Sequence, residues 1–78
     1  MLNVVAYQRD ARSIKIDVDD KPFLINIHFL NSEKLINIYE LKKEGKCYNG
    51  WDDAIKKCHS RKAKAALKKA KEILECGI

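Results

Sequence analysis

No run of about 18 apolar residues occurs in this 78-residue chain, so no segment is expected to span a membrane. The first residues, Met1-Leu2-Asn3-Val4-Val5, lack the basic and apolar blocks of a secretory leader. The three cysteines, Cys47, Cys58 and Cys76, are odd in number and show no CxxC spacing. Together with the missing leader, this points to reduced thiols in a cytoplasmic protein and against a disulfide framework or a zinc site. There is no glycine-rich phosphate loop, acidic dyad or nucleophile elbow, and the two histidines, His28 and His59, have no evident acid partner. The expectation is therefore a non-enzymatic protein without a cofactor. No glycine or proline interrupts residues 51–76, and no acidic residue lies between Asp53 and Glu72.

What is present describes one small globular domain, residues 1–78. Hydrophobic residues make up 46% and charged residues 35%, proportions of a folded rather than a disordered chain. Ile14, Ile16 and Val18 alternate with Lys15, Asp17 and Asp19, the period of a half-buried strand. Asp19-Asp20 is turn chemistry, and the apolar, β-branched stretch Phe23–Leu30 suits a central strand. After Asn31-Ser32, residues 35–41 alternate again until Lys42-Lys43-Glu44-Gly45-Lys46 breaks the pattern. Leu2–Tyr7 reads as an additional edge strand. The expected fold is α+β: a three- or four-stranded antiparallel sheet over residues 1–48, packed against one long amphipathic helix over residues 49–78.

Asn49 is placed to cap that helix, Asp52 and Asp53 suit its positive end, and Gly77 suits its stop. An uninterrupted helix of this length reaches on the order of 40 Å, whereas an eight-residue strand spans about 27 Å. Either the helix breaks at His59-Ser60 or its last turns overhang the sheet.

The net charge of +5 is not spread evenly. Residues 1–55 hold 8 Lys/Arg against 9 Asp/Glu, and residues 56–78 hold 8 against 2. At helical spacing Lys57, Arg61, Lys64, Lys68 and Lys71 form one stripe, flanked by Lys56, Lys62 and Lys69, and with no acidic residue between Asp53 and Glu72 the stripe is expected to lack partners on the helix. Such one-signed clustering points to phosphates or an acidic protein surface, against the plainer reading of a solvated face. The opposite side, Trp51, Ile55, Cys58, Ala66, Ala70 and Ile73, is expected to pack on the sheet, with a second copy of the chain as the alternative for its alanines.

Period-two alternation assigns Ile14, Ile16, Val18, Phe23, Ile25, Ile27, Phe29, Ile36 and Ile38 to the core face. The other face takes Leu24, Leu30, Leu35, Tyr39 and Leu41 beside Lys15, Asp17, Asn26, His28 and Asn37. Four leucines and a tyrosine are unusual on a face that should be polar. They mark either an interface anchored by Tyr39, with homodimerisation one form of it, or a patch covered by the N-terminal strand or the 42–50 loop.

Residues 60–67, Ser-Arg-Lys-Ala-Lys-Ala-Ala-Leu, have the flavour of the second helix of double-stranded-RNA-binding domains. The spacing is shifted and the first helix of that fold is missing, so no family follows. In its small size and Lys/Ile/Asn-rich composition the chain resembles accessory proteins of phages and mobile elements, including inhibitors of host defence systems. The function expected is a protein-binding inhibitor or adaptor that docks its basic helix on an acidic or nucleic-acid-handling partner. The alternative is non-specific binding of nucleic-acid phosphates through the same helix. The basic stripe contains no aromatic residue and Arg61 is its only arginine, which disfavours base stacking and guanine reading.

Overall fold

The computed structural model describes residues 2–40 and 43–75. Five strands in chain order, β1 Val4–Arg9, β2 Ser13–Val18, β3 Lys21–Leu30, β4 Glu33–Glu40 and β5 Lys46–Tyr48, form one antiparallel sheet with neighbours in sequence paired throughout. Two helices follow, α1 Trp51–Lys57 and α2 Arg61–Glu75. The α+β class and the central place of Phe23–Leu30 agree with the alternation in the sequence. The sheet nevertheless has one strand more than expected. β5 is three residues long, too short for a period of two to declare itself, and is defined by its pairing with Ile36–Ile38 of β4.

Both long hairpins turn on two residues with positive φ, Asp19-Asp20 (51° and 68°) and Asn31-Ser32 (52° and 70°). Paired positive φ values match the right-handed twist of the flanking strands, and aspartate and asparagine tolerate that conformation better than most residues. Asp19 also ties down the chain start: its carboxylate accepts the Asn3 N–H at 2.8 Å, and its own N–H donates to the Asn3 carbonyl at 2.9 Å.

The core lies between one sheet face and the helices. Ile14, Ile16, Val18, Phe23, Ile25, Ile36 and Ile38 from the sheet meet Trp51, Ala54, Cys58, Ala63, Ala66, Leu67, Ala70 and Leu74. Of the helix residues expected to face the sheet, Trp51, Cys58, Ala66 and Ala70 are buried, while Ile55 and Ile73 sit partly buried at the edges. The alanines let α2 lie close over β1–β3, with the large side chains supplied from below.

Phe29 departs from the expected core: it is 45% exposed, while Phe23 on the same strand face is 1% exposed. β2 pairs with β3 only as far as Ser13↔Asn26, so the last residues of β3 continue beside β4 alone. On the β2 side no strand flanks Phe29, and the Arg12 guanidinium lies over its ring at 4.9 Å from the centroid. Ile27, also assigned to the core, is partly buried for the same reason.

The single long helix is corrected to two. Cys58 takes an extended backbone (φ −74°, ψ 124°), ending α1 one residue before the expected break at His59-Ser60. The Cys58 thiol lies 3.7 Å from the Ser60 carbonyl, to which it donates. Ser60 then caps α2, its Oγ accepting the Ala63 N–H at 3.2 Å, a contribution of about 1 kcal/mol. The break folds the second half back over the sheet, which resolves the overhang of a straight rod. Asn49 does not cap α1 as expected. That helix has no side-chain cap, Gly50 (φ 107°) precedes it, and the Asn49 N–H instead donates to the Asp53 carboxylate at 3.0 Å. The expected stop at Gly77 lies outside the described residues.

Candidate binding surfaces

The two helices pair so that the start of α1 meets the end of α2. The Trp51 indole N–H donates to the Glu75 carboxylate, which Lys34 of β4 also reaches at 2.6 Å. Those two bonds, from Lys34 first and Trp51 second, hold the Glu75 carboxyl below the usual carboxylate range. A carboxyl depressed in the folded state stabilises the fold above its unfolded pKa, and that contribution is lost as pH falls through the folded value. Melts of the parent and of Glu75→Gln should therefore differ most near neutrality and converge toward about pH 3. A gap that stays constant over that range would show that the carboxylate charge contributes nothing.

The same helix pairing reorganises the basic stripe. Lys57 belongs to α1 and is separated from Arg61 by the non-helical Cys58-His59-Ser60. It pairs with Asp53 at 3.0 Å, and the bond from the Asn49 N–H, followed by that from Lys57, lowers the Asp53 pKa. Lys71 reaches across to Asp52 at 3.2 Å, and Lys69 lies 3.9 Å from Glu72. The expectation that the stripe lacks partners is thus corrected for Lys57 and Lys71. Their carboxylates come from α1, the first from one turn earlier and the second from a separate helix. Arg61, Lys64 and Lys68 remain together on α2, spaced by three and four residues, and they enter no ion pair among the described residues, nor do Lys56 and Lys62. Asp52, Asp53, Glu72 and Glu75 each engage a lysine.

The second surface is the sheet face away from the helices, where no element packs among the described residues. Cross-strand register lays out its rows: Val5–Asp17–Pro22, then Gln8–Lys15–Leu24–Tyr39, then Ser13–Asn26–Asn37–Cys47, then His28–Leu35 and Leu30–Glu33. Tyr7, two residues on from Val5, shares this face, and an irregularity between Ala6 and Gln8 brings Gln8 to it as well; Tyr7, Lys15, Pro22, Leu24 and Tyr39 border a shallow groove. Tyr7 is 50%, Val5 47%, Leu30 54% and Tyr39 39% exposed, and the Asn37 amide donates to the Asn26 carbonyl oxygen at 2.9 Å in the middle. Val5 and Tyr7 were not assigned to this face from the sequence because Val4–Tyr7 is apolar throughout and shows no period of two. The 43–46 loop partly covers Tyr39, whose ring lies so close to Gly45 that a Cβ there would collide with it. Leu41, assigned to this patch, lies outside the described residues.

A cavity of about 210 Å³ opens at the helix break between Ile38, Tyr48, Cys58, His59 and Ser60. That is below the range of about 300–1,000 Å³ for small-molecule sites. Among the described residues no three His, Cys, Asp or Glu side chains converge as metal ligands would, and no helix is long and apolar enough to cross a membrane. Comparison with protein-family models, curated proteins and solved structures finds no match to this chain.

Proposed function

We propose that this chain is a non-catalytic binding protein, an inhibitor or adaptor that docks on an acidic protein surface through Arg61, Lys64 and Lys68 of α2, with Lys56 and Lys62 at the margins. One observation carries the reading. Every described carboxylate on the helices already engages a lysine, while these five cations have none. Gathered like charges repel each other until an external anion arrives, so this surface gains most from an acidic partner. A protein is favoured over nucleic acid by the placement of the aromatics. Tyr7 and Tyr39 lie on the far face of the sheet and the stripe of α2 carries no aromatic residue, so a strand running along α2 finds little on which to stack its bases. Duplex binding would then be weak, indifferent to sequence and steeply reduced between about 50 and 200 mM salt.

The deciding experiment is affinity capture from the native host with and without nuclease. An acidic protein retained after nuclease treatment, and released by charge reversal on α2, supports the reading. Capture that vanishes with nuclease, or tight binding of one nucleic-acid sequence at physiological salt, would overturn it.

A further inference from the structure

We infer that the open sheet face binds a second copy of this chain, forming a two-fold dimer in which the sheets stack and the helices point outward. The inference does not depend on what the basic face binds. Three observations support it. The face is apolar where a sheet covered on one side should be polar, with Val5, Tyr7, Leu24, Leu30, Leu35 and Tyr39 on three of its strands. Its charge is close to balanced, with Lys15 against Asp17 and Glu33, whereas the excess positive charge of the chain lies on the helix side. A near-neutral face carrying both signs suits its own copy, and it lacks the cationic groove that single-stranded nucleic acid requires. The two basic faces would also be kept apart. Stacked sheets stand about 10 Å from each other, and each helix layer lies beyond its own sheet, so the like charges are separated by more than the Debye length of about 8 Å.

The area is sufficient but not generous. Strands of 6, 6, 10, 8 and 3 residues, at about 3.4 Å per residue and about 4.8 Å apart, present roughly 500–600 Å². Two copies then bury roughly 1,000–1,200 Å², at the lower bound for a specific interface. The dimer is accordingly expected to be weak, with dissociation in the micromolar range.

Sedimentation equilibrium on the whole chain tests this. The weight-average mass should rise toward twice the monomer value between about 10 µM and about 1 mM. Leu24→Arg, at the middle of the face, should weaken dimerisation by at least about tenfold. Val5→Lys and Tyr7→Ser, at half-exposed positions away from the core, should weaken it in the same direction while circular dichroism stays unchanged, which keeps the test valid should Leu24→Arg not fold. Reversing Arg61, Lys64 and Lys68 should leave the mass curve unaltered. A chain that stays monomeric to about 1 mM, or whose dimer ignores Val5→Lys and Tyr7→Ser, overturns the inference. So does a monomer that binds a single-stranded oligonucleotide in a manner sensitive to Tyr7→Ser.

Discussion

Replacing Phe23 by alanine is expected to cost about 3–5 kcal/mol in a denaturant melt, while the same change at Phe29 should cost less than about 1 kcal/mol. The two residues lie six apart on one strand and point to the same side of the sheet. Phe23 sits among Ile16, Ile25 and the helix residues with 1% of its surface exposed, so its loss leaves a cavity that a close-packed interior cannot fully close. Phe29 extends past the end of β2 with nearly half its surface in water, and alanine there forfeits little beyond the stacked Arg12. A domain of 78 residues has a total stability of about 4–12 kcal/mol. Phe23→Ala therefore removes a large part of it, and at the lower end leaves an appreciable unfolded fraction. Equal losses at the two positions would mean that Phe29 is covered in solution and that the hairpin end packs elsewhere.

Charge reversal on the basic face should be the most damaging change to function. Arg61→Glu, Lys64→Glu and Lys68→Glu together are expected to reduce partner binding by at least about a hundredfold, measured by calorimetry or by capture from lysate. Each substitution replaces an attractive contact with a repulsive one against the same acidic surface. The melting temperature should change little, because Arg61 and Lys68 are exposed and none of the three side chains is in an ion pair of the fold. Lys71 is the informative control. It is held by Asp52 across the helix pair, so Lys71→Glu sets two carboxylates against each other and should lower stability as well as binding. A triple variant that binds as tightly as the parent would reduce the face to a solvated surface.

The alternation of residues 14–40 was enough to read the strands, the two hairpin turns and the buried face, because a period of two assigns each side chain to a side without reference to anything distant. The apolar spacing of Ala66 and Ala70 did the same for part of α2, although the buried stripe also takes Ala63, Leu67 and Leu74 and leaves Ile73 at its edge. Length alone raised the question of a break in the helix, since a straight rod would overhang the sheet, but no local signal compelled it. Cys58 is extended in a stretch without glycine or proline, and Ser60, an ordinary cap residue, becomes one only because the chain turns there. The open face with Leu24, Leu35 and Tyr39 was legible, whereas Val5 and Tyr7 were not, because the apolar run Val4–Tyr7 carries no alternation and its sides are set by the pairing of Val5 with Asp17.

What the sequence determined by itself, then, was the sidedness of each element and the concentration of positive charge in the last third of the chain. The tertiary structure decided coverage and pairing. Periodicity states which way Phe29 points, but only the end of β2 leaves it in water. Helical spacing aligns Lys71 with its neighbours and sets Lys57 four residues from Asp53, but only folding α1 back against α2 brings Asp52 within reach of Lys71. The physical reason is range. Backbone geometry and side-chain periodicity are local and repeat along the chain. Burial and ion pairing depend on which distant segment arrives alongside, and that is settled only when the layers pack.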